Sequence, residues 1–586
     1  MSIEFQERPI DRYAATFLCR GSDGGAQEVE KLVVSLVSQT VGKGNICLDL
    51  KLLSGKTLRV SPDREVSVPP LDQLSRLLYA LPAVGRPGEH TPLVLDHVGR
   101  LYLYRYWRYE QELARIILCK AGALGIPVDQ SRMKECLQRL FPSGIEDEMT
   151  SQQQAASRAL CSLFSVITGG PGTGKTSTVV RVLALILEQP GGMRHRIALA
   201  APTGKAAARL NASITAIRER LSCADEIKSA IPTEVVTVHR LLGSRHGSVR
   251  FRHSAANPLP YDTIIVDEAS MVDLPLMAAL VTALLPTARF ILLGDREQLA
   301  SVEAGAVLGD ICTAGEAPSS LLGKNVVFLD RNYRFQAGSG IGALAKAVNE
   351  GRGRDAVELL RNAMPGGVAW MDVKEPGVLN RLLEERVMSG YRAVIEAASP
   401  SEALQRFERF RILCAFRDGP ALSGVNSVNR AVENILAKEG LITPNTIWYK
   451  GRPLLITAND YPMQLFNGDT GLLFPDPDRG GALRAFFPNS GGGVRSIAPE
   501  RLAGHETAFA MTVHKSQGSE FDRVLLILPS TDSELLTREL LYTAITRAKE
   551  SVEIWGDEAV FSAAAGRKSE RHSGLMDLLL QSSQVS

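Results

Sequence analysis

Short apolar runs alternate with helical patterns from Gly169 onward, the signature of βα units that build a parallel sheet. FSVIT (164–168), RIALAAP (196–202), TIIV (263–266), RFILLGD (289–295) and NVVFLD (325–330) are predicted as the strands of a first series, with STVVRVLALILEQ (177–189) as the helix after the first of them. A second series consists of RILCAF (411–416), FDRVLLILP (521–529) and SVEIWG (551–556), with ELLTRELLYTAITRAK (534–549) predicted as a helix between the last two. The stretch 447–497 breaks this rhythm. Its runs WYKGRPLLI, FNGDTGLLF and ALRAFF are separated by Asn/Asp/Gly turns and an SGGG segment, so it reads as a small β-rich insertion in the second series. SRHGSVRFRHSAANPLP (244–260) falls between two units of the first series and is expected to form a hairpin projecting from the sheet.

Upstream, LYLYRYWRYEQELARIIL (101–118) interleaves aromatic and basic residues. It allows two readings: a strand with tyrosines on one face running into an amphipathic helix, or a platform on which single-stranded bases stack. No internal repeat is present, and the polar segments GRKSERHSG (566–574) and QSSQVS (581–586) are expected to fray.

The loop between the first strand and its helix carries the first chemistry. Gly169, Gly170, Pro171, Gly172, Thr173, Gly174, Lys175 and Thr176, followed by Ser177, satisfy G-x-x-x-x-G-K-[ST]. Glycines there let backbone N–H groups turn inward on phosphates, Lys175 neutralises β and γ charge, and the Thr176 hydroxyl takes one Mg²⁺ position. Such a loop predicts a nucleoside triphosphate. In TIIVDEAS an apolar strand delivers Asp267 and Glu268 to its carboxyl end, where Asp267 can hold Mg²⁺ and Glu268 can position and deprotonate a water. One strand later, Gln298 in LLGDREQL can reach the γ-phosphate with its side-chain amide. Hydrolysis across a cleft also needs positive charge from a partner domain. Arg334 in FLDRNYRF and Arg547 in YTAITRAK, the latter expected on a helix, are candidates whose alternative is a plain surface arginine.

Composition narrows the class. At 586 residues the chain exceeds one core, and 45% apolar with 22% charged residues describes a folded protein. A formal net charge of +2 is too weak for a global polyanion field, so a nucleic-acid surface must be a local groove. The eight cysteines are scattered, which favours reduced thiols over a disulfide framework or zinc site. The amino terminus has no signal-peptide core, and the best apolar run, VVRVLALIL, is too short for a membrane span and broken by Arg181. A cytoplasmic protein without a membrane partner is expected.

Eight segments in order, GGPGTGKT, APTGKAAARL, TVHRLLG, DEAS, GDREQL, NYRF, TVHKSQGSEFD and YTAITRAK, resemble the superfamily 1 helicases over roughly 152–556. Within that superfamily, PLVLDHVGRLYLYRYWRYEQELA, SGIGALAKAVNEG and WYKGRPLLITANDYPMQLFNGDTG are similar to the RecD family, the α subunits of the RecBCD exodeoxyribonuclease V complexes.

The resemblance implies an α/β fold with two RecA-like parallel-sheet motor domains, a smaller N-terminal domain and the β-rich insertion. The corresponding limits are 1–143 for an N-terminal partner-docking domain, 144–335 for the first motor domain and 336–586 for the second. Gln152 becomes an adenine reader, with Gln153 as the other register, and Tyr333 stacks on the adenine. Arg334 and Arg547 contact the γ-phosphate, and Thr203, Gly204, His239, Thr512, His514 and Lys515 line a single-stranded DNA path. Gln517, Gly518 and Glu520 couple DNA to nucleotide. For His239 and His514 a hydrogen-bonded core histidine stays open. The 244–260 hairpin would lie near the duplex junction.

The implied function is an ATP- and Mg²⁺-dependent helicase or translocase, 5′ to 3′ on single-stranded DNA. It acts within a heterotrimer with RecB-like and RecC-like subunits that processes duplex DNA ends for recombinational repair. The alternatives are a structural subunit with incidental ATPase and a stand-alone RecD-like helicase. No paired-carboxylate-plus-lysine constellation lies outside the motor, so exonuclease activity is expected only of the assembled complex.

Overall fold

Side chains alternate across a strand, so Phe164 and Val166 face one side of FSVIT while Ser165 and Ile167 face the other. Both sides are covered in the computed structural model. It describes residues 7–20, 26–61, 63–123, 125–141, 149–245, 247–248, 250–335, 339–362, 367–372, 376–419, 422–443, 446–460, 462–489 and 493–581. Phe164–Thr168 lies in a six-stranded, wholly parallel sheet ordered Val326–Phe328, Phe164–Thr168, Arg289–Gly294, Thr263–Val266, Ile197–Ala201, Val235–Thr237.

Phe164, Val166, Ile264 and Phe290 pack beneath helices Tyr104–Gly122, Leu274–Thr282 and Val307–Glu316. Ile167, Ile265, Ile291 and Leu293 pack beneath Gln130–Leu140, Ser151–Cys161, Lys175–Glu188 and Gly204–Arg218. Burial on both faces is why these strands read as continuous apolar runs. From Phe164–Thr168 the chain passes over two neighbouring strands before pairing Ile197–Ala201. The phosphate-loop strand therefore stands at the point where strand order reverses, and its carboxyl end opens into a crevice.

The second series forms a five-stranded parallel sheet ordered Val368–Asp372, Ala548–Gly556, Phe521–Ile527, Phe410–Cys414, Ala510–Thr512, again covered on both faces. The two RecA-like sheets thus have the predicted class. The helix between its last two members is shorter than expected. It runs Arg538–Ile545, because Ala548 already pairs with Phe521, so Arg547 sits on the turn beyond the helix and not on it.

The β-rich unit is a five-stranded antiparallel sheet ordered Val494–Ile497, Ala482–Pro488, Thr470–Asp476, Pro453–Ile456, His505–Thr507. It extends past the expected limit of 497, since His505–Thr507 closes it by pairing with Pro453–Ile456. Of the SGGG segment, residues 490–492 lie outside the described residues, as do 582–586 of QSSQVS.

The amino-terminal part has its own core of Leu36, Val37, Leu74, Leu78 and Leu101 around a four-stranded sheet. Arg100–Leu103 is a strand that runs directly into helix Tyr104–Gly122, which together with Gln130–Leu140 packs on the first parallel sheet. Tyr102 and Tyr106 are buried there and Trp107 and Tyr109 are partly buried against the same core, which matches the reading of a strand running into an amphipathic helix.

The 244–260 insertion is also not a strand hairpin. Among its described residues there is one isolated bridge, Ser254 with Asn257, and the loop is pinned by Arg252 N to Gly243 O and His253 N to Leu242 O, both 3.0 Å.

The segment 566–574 does not fray. Arg571 Nη1 donates to Glu303 O at 2.7 Å, His572 O accepts from Ile46 N at 2.9 Å, and Ser573 Oγ donates to Glu110 at 2.7 Å. Helix Leu575–Gln581 then buries Leu575 and Leu579 in the first sheet's core. Its polar composition misled because its partners are backbone carbonyls and side chains remote in the sequence, including the carboxylates of Glu110, Asp532 and Glu539. No helix among the described residues is long and apolar enough to cross a membrane.

One buried lysine joins helix Tyr104–Gly122 to the first sheet. Lys120 Nζ donates to the carbonyls of Leu285, Pro286 and Ala288 at 3.0, 3.0 and 2.7 Å, and burial lowers its pKa to about 8. Lys120→Met should lower the unfolding free energy by roughly 2–4 kcal/mol, read by denaturant titration, because buried carbonyls lose their donor. The unfolded chain holds more protons on this lysine between about pH 8 and 10.5, so the wild type should gain stability relative to the variant as pH rises through that window.

Candidate nucleotide site and strand path

Gly172 and Gly174 adopt φ of +83° and +85°, backbone that L side chains rarely enter, and this curls the loop after Phe164–Thr168 into a cradle. A Cβ on Gly174 would stand 2.3 Å from Gln152 Nε2. Gln152 reaches the loop from helix Ser151–Cys161, donating to Thr173 O at 3.0 Å. Gln153 is committed elsewhere: its Oε1 accepts Thr150 N at 2.9 Å in a capping box. The two registers open in the sequence are therefore structurally distinct, with Gln152 on the loop. Lys175 Nζ donates to Gly169 O at 2.6 Å and Gly170 O at 3.1 Å, which keeps its charge at the cradle.

Lys175, Thr176, Asp267, Glu268 and Gln298 from the first sheet line a cavity of about 420 Å³ with Arg334, Glu520 and Arg547. Glu268 holds a left-handed φ of 52° just past the strand, and its N–H donates to Asp267 Oδ1 at 2.9 Å. Burial, with the adjacent Glu268 carboxylate, pushes the Asp267 pKa up to about 6.

Gln298 Nε2 donates to Asp295 Oδ2 at 3.0 Å, and the same oxygen accepts Tyr542 OH from the second half at 3.1 Å. Leu299 N donates to Thr543 Oγ1 at 2.9 Å, and Gln517 Nε2 to Leu299 O at 2.8 Å. The segment after Arg289–Gly294 is thus bonded directly to the helix and loop that precede and flank Arg547.

Arg334 follows the last strand of the first sheet. Tyr333 N donates to Gly172 O and Asn332 Nδ2 to Pro171 O, both 2.8 Å, so NYRF is laid against the phosphate loop. Arg334 Nη2 donates to Glu520 Oε1 at 2.6 Å, and Arg209 Nη2 donates to the same oxygen. Arg547 is fully buried and held by Thr543 O and Ser519 O at 3.1 and 3.2 Å. Burial lowers its pKa, and the Glu268 carboxylate opposes that shift. The Tyr333 ring is exposed, lies under the Arg331 guanidinium at 5.2 Å and does not line the cavity.

Arg209, Asp295 and Tyr542 were missed in the sequence although each lies inside a quoted segment. Their signal is positional: an arginine following the alanine run of helix Gly204–Arg218, and polar groups next to Gln298 and Arg547.

The strand-path candidates fall into separate groups. Thr203 caps helix Gly204–Arg218, its Oγ1 accepting Ala206 N at 3.2 Å, and Gly204 lies against Phe466. His239 is exposed and edge-on to Phe251 at 5.9 Å, which makes it no core histidine. Thr512 Oγ1 accepts Lys515 N at 3.3 Å, and Lys515 Nζ donates to Glu506 at 2.5 Å. His514 is half-buried, and burial, helped by Arg571, lowers its pKa.

The donor set fits a magnesium nucleoside triphosphate. The cradle has no room for a side chain at Gly174, Asp267 and Glu268 present paired carboxylates toward Lys175, and Arg334 Nη1 is buried with no hydrogen-bond partner, a donor that suits a phosphate oxygen.

Residues 152–304 match the family described as "AAA domain", 507–554 the "UvrD-like helicase C-terminal domain", and 7–102 the "RecBCD enzyme subunit RecD, N-terminal domain". The chain is 41% identical over 574 residues to the "RecBCD enzyme subunit RecD" of Mycobacterium tuberculosis, covering 96% of this chain and 93% of that protein. It is 34% identical to the Haemophilus influenzae protein of the same description, with coverage of 82% and 80%. It is 31% identical to the "ATP-dependent RecD2 DNA helicase" of Deinococcus radiodurans, covering 82% of this chain and 58% of that one.

Lys175→Ala removes the cradle's cation. It should abolish triphosphate hydrolysis, read by phosphate release, while shifting the nucleotide-free unfolding midpoint by no more than about 2 °C, because the lysine contacts only loop carbonyls.

Proposed function

The chain belongs to the RecD family, and from that premise we propose how its residues drive an ATP-dependent DNA helicase subunit of a RecBCD-type enzyme. The single observation that carries the mechanism is the shared cavity, where Lys175, Asp267 and Glu268 face Arg334 and Arg547.

When bound there, ATP supplies the scissile γ-phosphate and Mg²⁺ neutralises charge on its oxygens. Lys175 and the loop N–H groups orient the phosphates, Gln152 reads the adenine from its place on the loop, and Tyr333 stacks on that base. Thr176 and Asp267 hold the metal. The Glu268 carboxylate takes the proton of the attacking water. Arg334 brings positive charge to the phosphate from the loop laid against the cradle, Arg547 adds its own from the second half when the two sheets approach, and Gln298 reports the phosphate's loss through Asp295 and Tyr542.

The path through Thr203, Gly204, His239, Thr512, His514 and Lys515 carries single-stranded DNA by backbone contacts, in the 5′ to 3′ direction, with binding that is sequence-tolerant and weakened by salt. RecB-like and RecC-like partners, duplex DNA ends as substrate and cytoplasmic action belong to the same reading. Its domain division is a docking domain to about residue 103 and not 143, because helices Tyr104–Gly122 and Gln130–Leu140 pack on the first sheet, a first motor domain to 335, and a second that ends before Leu575–Gln581, a helix that packs on the first sheet.

Arg334→Ala should keep ATP binding, read with a fluorescent nucleotide, and lose about three decades of hydrolysis. Unwinding of duplexes with either a 5′ or a 3′ overhang, by the chain and by its complex, tests the direction. Equal use of both ends, or wild-type unwinding by Lys175→Ala, overturns the reading.

A further inference from the structure

The β-rich module touches the strand-path candidates at two places. In the turn between Pro453–Ile456 and Thr470–Asp476, Phe466 N donates to Asp469 Oδ2 at 2.8 Å, while Asp460 and Leu465 exchange backbone hydrogen bonds of 2.7 and 2.9 Å. This braced turn sets Phe466 on Gly204. A Cβ on that glycine would stand 2.9 Å from Phe466 Cβ, Cγ and Cδ2, so the missing side chain is what admits the phenylalanine.

On the edge strand His505–Thr507, Glu506 Oε1 takes the Lys515 ammonium at 2.5 Å and its Oε2 takes Arg417 at 3.2 Å. A carboxylate there answers the same charges that a backbone phosphate would.

Building on the strand-path reading above, we propose that the β-rich module is a gate that closes the path in the DNA-free protein: Glu506 occupies the phosphate position at Lys515, and Phe466 covers Gly204. The module shares an apolar core with the second sheet through Leu472, Phe474 and Phe486, so a strand binds only when Phe466 leaves Gly204 and the Glu506 side chain swings off Lys515, and the apparent affinity is the intrinsic one reduced by the open fraction. The half-exposed Lys515–Glu506 pair is weak enough for DNA to displace.

The test is stopped-flow association of a fluorescent oligothymidylate with the full chain, as wild type, Phe466→Ala and Glu506→Gln. Each variant should associate about tenfold faster than the wild type, as expected if it raises a minor open population. Slower association of Phe466→Ala, which would make the ring a contact for bases, overturns the gate. Equal rates in all three overturn the gate while leaving the path intact, whereas no binding by any of them overturns the path reading and the gate together.

Discussion

Glu520 accepts two guanidinium groups on one oxygen, Arg334 at 2.6 Å and Arg209 beside it, in the cavity where the two parallel sheets meet. Burial alone would push this carboxyl up, but the two arginines pull its pKa down to about 2. At neutral pH it is therefore ionised. Arg209 comes from a helix packed on the first sheet, Arg334 from the loop leaving that sheet, and Glu520 from the segment entering Phe521–Ile527. A buried arginine cluster without that carboxylate would carry uncompensated charge next to Lys175. The arrangement also leaves Arg334 Nη1 with an unused donor, so neutralisation and availability for an anion coexist.

Rigid sheets and polar loops divide the labour around this point. The strands are buried on both faces and hold the loop ends in place, while polar bonds cross the cleft, among them Tyr542 to Asp295, Thr543 to Leu299, Gln517 to Leu299 and the two arginines to Glu520. Hydrogen bonds of this kind are individually modest and can be remade, unlike an apolar interface. The carboxyl-terminal segment adds a second tie. It leaves the second sheet, passes Gly44–Ile46 of the amino-terminal part and docks Leu575 and Leu579 on the first sheet, with Glu110 accepting Ser573 Oγ and Gly574 N. Burial raises the Glu110 pKa to about 7, and these two donors oppose that shift. All three parts of the chain thus share one strap.

Much of the architecture was legible in the residues, because a strand buried on both faces must be apolar at nearly every position and must end where polar catalytic groups begin. FSVIT, TIIV and RFILLGD met both conditions, and the loop, the acidic pair and Gln298 follow at their carboxyl ends. Local propensity failed where a distant partner decided the outcome. The helix toward Arg547 stops early because Ala548 is claimed by Phe521, and GRKSERHSG is ordered by carbonyls hundreds of residues away.

Sequence alone determined the strand order of chemistry: a glycine-rich cradle, a lysine, two carboxylates and two arginines, since each of these functions tolerates few residue types. Only the tertiary structure decided which side chains share the cavity. It placed Gln152 and not Gln153 on the loop, added Arg209, Asp295 and Tyr542, and set Phe466 on Gly204. The reason is physical: composition and period report what a residue can do, whereas a contact between residues far apart in the chain depends on how two sheets and a module pack, and no local pattern encodes that distance.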